Sequence, residues 1–112
     1  MIGVDIVDLS RLDIHNEALM RRMLTEEERA EFAERRAECR KKEYAGGRFA
    51  CKEAIFKATG DSSFLNYSIL TGEKGKPYVK DHPEIEVTIS HDGGLAIAMV
   101  LVQNQCSETS KK

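Results

Sequence analysis

The chain has no tryptophan, only two prolines and three cysteines, and no excess of charge of either sign. Each shortage excludes something. Sparse proline and the lack of any repeat or low-complexity block, beside 41% hydrophobic residues, exclude a disordered or fibrous chain and predict a soluble globular one. Cys39, Cys51 and Cys106 are odd in number, scattered, and without close Cys or His neighbours at zinc spacing, which predicts free thiols in a reducing compartment. The longest apolar run, Leu95 to Val102, is far too short to span a bilayer as a helix. Met1 to Asp5 shows no basic start followed by an apolar core, so no secretory signal is expected and the cytoplasm is the expected location. A net charge of -2 argues against a general nucleic-acid binder. Charge is nevertheless locally uneven. Arg35, Arg36, Arg40, Lys41 and Lys42 form a basic run and Glu26, Glu27 and Glu28 an acidic one. Such runs are ordinarily solvated helix faces, although a basic patch can also receive an acidic protein or a phosphate.

At 112 residues the chain is expected to form one domain over 1–112, ending in a polar tail from about 104. That length suffices for a core but is short for a large enclosed site, which makes crevices between subunits attractive places for chemistry.

The segment Arg48-Phe49-Ala50-Cys51-Lys52-Glu53-Ala54-Ile55-Phe56-Lys57-Ala58-Thr59-Gly60 carries the sharpest signal. On a helix, Glu53 and Lys57 at i and i+4 share a face. Gly46, Gly47 and Ala50 continue that face backwards and offer a close approach to its backbone, while Phe49, Ile55 and Phe56 lie off it, available to a core. A Glu–Lys pair at this spacing is ordinarily only an exposed helix ion pair. The helix is expected from about Arg40 to Thr59, with Gly60 as its left-handed stop. Gly46 and Gly47 inside it each cost roughly 1 kcal/mol relative to alanine, which points to close packing or a ligand, or to a break in the helix.

Elsewhere, Ile2, Val4 and Ile6 alternate with Gly3, Asp5 and Val7, predicting a strand that buries its apolar face and projects Asp5 from the other. A short helical region runs from about Asp8 or Ser10 to Leu24, with Met20, Met23 and Leu24 inward. Thr25-Glu26-Glu27-Glu28 reads as a capping box opening a second helix. Phe64 to Leu70 is expected as a strand, Thr71 to Pro77 as a turn, and Tyr78 to Lys80 as extended. Val87 to Ser90, the turn His91-Asp92-Gly93-Gly94, and Leu95 to Val102 form a hairpin. Its last strand, apolar on both faces, needs cover on both sides, and a second subunit is one source of it.

Gly3-Val4-Asp5-Ile6, Arg11, the segment Gly47 to Gly60, the turn Gly75-Lys76-Pro77, and Ile89-Ser90-His91 before a last apolar strand resemble, in order and over nearly the whole chain, the holo-acyl-carrier-protein synthases. These are the small, single-domain branch of the 4'-phosphopantetheinyl transferases. The resemblance implies an α+β fold in which a small, mainly antiparallel sheet packs on helices, assembled as a homotrimer with sites between subunits. It also implies magnesium-dependent transfer of 4'-phosphopantetheine from coenzyme A to a serine of apo-acyl carrier protein, releasing adenosine 3',5'-bisphosphate, for fatty acid biosynthesis. Asp5 and Glu53 would be the metal ligands, and Lys57, the third catalytic residue, a phosphate clamp. Glu53, directly or through a water on the metal, would take the serine proton, with a water activated by Asp5 as the alternative. Arg48, Ser90 and His91 would bind phosphates of coenzyme A. Arg11, Arg21 and Arg22 would dock the acidic carrier. Two stretches depart from the family pattern. Arg11 to Thr25 is shorter and less basic, and the link from Gly60 to Phe64 is abbreviated. A phosphopantetheine-binding module without catalysis could dispense with one carboxylate, and a purely structural trimer would leave Asp5 unexplained.

Overall fold

The computed structural model describes residues 1–103, so Cys106 and the expected tail of 104–112 lie outside the described residues. Within them the chain is one α+β unit. Three strands, β1 (Ile2–Asp8), β4 (Ile85–Asp92) and β5 (Leu95–Val102), form an antiparallel sheet in the order β1-β5-β4. A second, two-stranded sheet pairs β2 (Ile69–Thr71) with β3 (Pro77–Val79). Helices α1 (Glu17–Met23), α2 (Glu26–Glu34) and α3 (Glu38–Thr59) follow β1. The expected helical region after Asp8 is thus split: a single 3-10 turn at Leu9–Arg11, then a loop, then α1 capped by Asn16. The stretch expected as a strand from Phe64 begins instead with a 3-10 turn at Phe64–Asn66, and only Ile69 onward pairs.

The local signals for helix ends act as chemistry dictates. The Thr25 hydroxyl accepts from the Glu28 amide while the Glu28 carboxylate accepts from the Thr25 amide at 2.8 Å, which starts α2. Gly60 at φ 84° ends α3 where a side chain would be strained. Gly93 and Gly94, at φ 58° and 81°, close the β4–β5 hairpin in the left-handed turn that matches strand twist.

Helix α3 lies across the inner face of the main sheet. Ala50, Ala54, Ile55 and Ala58 meet Val87, Ala98, Val100 and Val102, and a second cluster joins Phe49 and Ala45 to Leu12, Ile14, Met20 and Leu24. Cys51 is buried in the first cluster, and burial pushes its thiol up to about 12. Phe56, expected inside, is 41% exposed, because it falls on the outer side of α3.

The helix is continuous through Gly46 and Gly47, and neither glycine opens a path for a ligand. A Cβ on Gly46 would stand 2.3 Å from the Leu9 side chain, and one on Gly47 3.0 Å from Ile89. Ala50 is likewise fully buried. These small residues let the protein's own sheet and turn approach the helix.

Strand β1 faces the opposite way from expectation. Gly3, Asp5 and Val7 turn toward α3, whereas Ile2, Val4 and Ile6 lie on the outer face with Met99 and Leu101 and are over half exposed. The reason is the close approach of the helix: a Cβ on Gly3 would stand 1.9 Å from the Ala54 carbonyl oxygen, so only glycine fits this position. The apolar residues that remain pair across the outer face, Ile2 with Leu101, Val4 with Met99 and Ile6 with Ile97. Gly3→Ala is expected to destabilise the fold by about 3 kcal/mol or more, since the obstructing atom is backbone and cannot swing aside. A urea midpoint within error of the wild type would contradict this packing.

Candidate active site

Two strand–helix contacts fix the site's geometry. Gly3 meets Ala54 near the end of α3, and Leu9, just past β1, meets Gly46 near its middle. Strand β1 therefore runs antiparallel to α3 and brings Asp5, between those contacts, alongside the turn that carries Glu53. One helical turn farther on, Lys57 donates from Nζ to Asp5 Oδ1 at 2.8 Å and to the Val4 carbonyl at 3.2 Å. The Glu53–Lys57 pair suggested by i,i+4 spacing is accordingly not the one formed: the ammonium chooses Asp5. Among the described residues the half-buried Glu53 makes no ion pair. Asp5 is largely covered, with 20% of its side chain exposed, while Lys57 at 52% is open to solvent. Asp5 and Lys57 are thus paired at one edge of the fold, and Glu53 precedes Lys57 by one turn on the same face of α3.

The donor set suits a hard divalent ion. No cluster of three or more His, Cys, Asp or Glu able to hold a metal occurs among the described residues. Two carboxylates are what magnesium takes from a protein when phosphates and waters complete its octahedron. The cation already against Asp5, the Lys57 ammonium, marks the place as one that favours positive charge.

Arg48 has a different position and a partly different job. It lies five residues before Glu53, which at 3.6 residues per turn sets the two about 140° apart around the helix. Its Nε donates to the Ile69 carbonyl at 2.9 Å, its Nη2 donates to the Thr71 hydroxyl, and its guanidinium lies 3.9 Å from the centre of the Tyr44 ring. Glu31 stands 3.6 Å away. Arg48 is therefore buried and strongly bound to the fold, yet it lines a cleft of about 380 Å³ together with Arg35, Arg36, Arg40, Thr71 and His91. The Nε2–H of His91 donates to the Glu43 carbonyl at 3.1 Å, which leaves Nδ1 as the ring's other polar atom. Ser90, the neighbouring residue on β4, points to the opposite face of the strand and does not line this cleft.

The structure thus brings Asp5 and Lys57 into contact, with Glu53 one helical turn before Lys57 on the same helix face, and sets Arg48 and His91 together in a cleft on another side of α3. Ser90 stands apart from both groups. Arg11, Arg21 and Arg22 are exposed on the 3-10 turn and α1, with Arg11 3.8 Å from Asp8.

Three features escaped sequence reasoning. The basic run reads as a solvated face, but Arg35, Arg36 and Arg40 wall the cleft beside Arg48. The alternation of Arg35 and Arg48 around Tyr44, at 4.3 and 3.9 Å, is a fold-level stack with no local sequence signal. Lys52, beside Glu53, reads as an ordinary helix lysine and is instead fully buried. Its Nζ donates to Glu28 at 2.5 Å and to the Met23 carbonyl at 2.7 Å. Burial pushes that ammonium down and the Glu28 carboxylate holds it up. The other Glu28 oxygen accepts from the Ile69 amide, whose carbonyl Arg48 binds. One junction therefore joins α1, α2, α3 and β2 at the residue that precedes Glu53.

The holo-[acyl-carrier-protein] synthase of Geobacillus sp. strain WCH70 is 40% identical, over 91% of this chain and 94% of its own. A Bacillus anthracis holo-(acyl-carrier-protein) synthase, solved in complex with CoA (3',5'-ADP), superposes with a TM-score of 0.80 at 35% identity, covering 90% of this chain and 93% of that one. The Helicobacter pylori enzyme, solved with coenzyme A, gives 0.75 at 29% identity, covering 92% of this chain and all of its own. The sequence pattern of the 4'-phosphopantetheinyl transferase superfamily matches residues 1–100, and the chain belongs to that family.

Proposed function

We propose that the chain transfers 4'-phosphopantetheine from coenzyme A to a serine of apo-acyl carrier protein, giving holo-carrier and adenosine 3',5'-bisphosphate. The observation that carries this reading is the delivery of Asp5 by β1 onto the Glu53–Lys57 face of α3, with Asp5 2.8 Å from Lys57. Asp5 and Glu53 would hold magnesium, which would supply positive charge to offset that growing on the leaving phosphate. Lys57, on its solvent-facing stem, reaches the same phosphate as a second positive group. Glu53, fixed on a rigid helix, accepts the proton of the serine hydroxyl as its oxygen attacks the phosphorus that bears the pantetheine arm. The bond to that phosphorus forms as the pyrophosphate bridge breaks, and the nucleotide carries away the electron pair. Support for a bound nucleotide comes from the arginine-lined cleft, whose charge suits the donor's phosphates.

Arg48 and His91 lie across α3 from the carboxylates, and the outer sheet face is apolar from Ile2 to Leu101. Both features support a homotrimer in which that face is covered and neighbouring subunits complete each site. The same reading carries a cytoplasmic role in fatty acid biosynthesis. Its test is chromatography of the reaction mixture: adenosine 3',5'-bisphosphate is expected only when apo-carrier, coenzyme A, magnesium and the protein are all present. Release that ignores the carrier would sink the proposal.

For the carrier surface, Arg21→Glu with Arg22→Glu is expected to raise the carrier KM about tenfold and leave kcat within about twofold, the signature of a docking charge remote from chemistry. Steady-state rates at varied carrier concentration check it. An unchanged KM would move the docking surface elsewhere.

A further inference from the structure

We propose that Lys57 is a cationic latch on Asp5: in the free protein its ammonium takes the place of a divalent cation, and the cation enters when a phosphate ligand draws the ammonium away. The inference rests on the reading of Asp5 and Glu53 as a metal site and goes beyond it to the order in which that site fills.

The geometry supplies each part. Nζ of Lys57 is held at two points, by Asp5 Oδ1 at 2.8 Å and the Val4 carbonyl at 3.2 Å, so the ammonium has a defined seat. Asp5 is mostly covered, which leaves water little room to replace that partner, whereas Lys57 is half exposed on a flexible stem and can leave without disturbing α3. A divalent cation approaching Asp5 with the latch closed would meet a positive charge bonded to the same carboxylate, in a partly dry setting where repulsion is weakly screened. A phosphate gives the ammonium another anion to bind, and Asp5 is released to the metal. Metal and nucleotide binding must then favour one another, each to the same factor.

The test is binding of Mn2+ alone, followed by the electron paramagnetic resonance of the free ion, with and without coenzyme A. The coenzyme's own affinity for Mn2+ is measured separately and subtracted. Wild-type protein is expected to bind Mn2+ at least tenfold more tightly when coenzyme A is present. Lys57→Gln, which removes the charge from an exposed position, is expected to bind Mn2+ without coenzyme at least tenfold more tightly than the wild type, and to gain much less from coenzyme. Lys57→Arg, which keeps the charge, should stay near the wild type. Equal Mn2+ affinities for wild type and Lys57→Gln in the absence of coenzyme would overturn the latch. Unchanged Mn2+ binding in Asp5→Asn would instead overturn the two-carboxylate metal site beneath it, so the two failures are distinguishable.

Discussion

Lys52→Met is expected to lower the unfolding free energy by about 3–5 kcal/mol, the range for stranding one charge of a buried ion pair. Lys52 and Glu28 are both fully buried, and methionine supplies the volume of the lysine stem but nothing for the carboxylate. Glu28 would keep the Thr25 and Ile69 amides as donors, so the loss measured is specifically that of the ammonium. The paired change Glu28→Gln with Lys52→Met is expected to recover most of the loss, because an amide can still accept from one of those amides without burying charge. Urea unfolding of the wild type and both variants checks this. A Lys52→Met protein within about 1 kcal/mol of the wild type would mean that the pair is not charged or not dry. The junction also ties the Met23 carbonyl that ends α1, and with it the segment bearing Arg21 and Arg22, to the α3 turn that carries Glu53.

Glu53→Gln is expected to cut phosphopantetheine transfer by about 10²–10⁴-fold with the fold intact, the span over which a positioned general base acts. The side chain is half-buried and makes no ion pair among the described residues, so the amide replaces it without leaving a stranded partner. The amide cannot take the serine proton and is a poorer ligand for a hard cation. A variant that kept the normal rate and the normal magnesium dependence would remove both roles from Glu53. The paired measurements are single-turnover rates and a magnesium titration. A loss restored by high magnesium would assign the residue mainly to the metal, whereas a loss insensitive to magnesium would assign it to the proton.

Much of this was legible in the residues because the signals were local. The Thr25 capping box, the Gly60 helix stop and the Gly93-Gly94 hairpin each depend on a few adjacent side chains, and each forms where its chemistry predicts. The spacing of Glu53 and Lys57 also placed both on one helix face. What spacing could not say is which carboxylate the lysine would choose, because Asp5 arrives from 52 residues away. The facing of β1 differs from the sequence expectation for a related reason. Alternation gives two faces but not which one meets the helix, and that choice was made by Gly3, the residue that admits the Ala54 carbonyl. Gly46 and Gly47 are ambiguous in sequence between ligand and packing, because the Leu9 and Ile89 side chains that fill the space are far away along the chain. Lys52 was invisible in sequence because burial of a lysine depends on a distant carboxylate, here Glu28, and on two further helices closing over it.

The central claim is that the edge where β1 meets α3 is the catalytic centre of a phosphopantetheine transfer. Its most direct test is the intact mass of an apo-acyl carrier protein after incubation with the purified protein, coenzyme A and magnesium. The account predicts a gain of one phosphopantetheine unit on the carrier, with the gain suppressed when Asp5→Asn or Glu53→Gln protein is used. A carrier of unchanged mass across bacterial carriers, or a full gain with both variants, would contradict it.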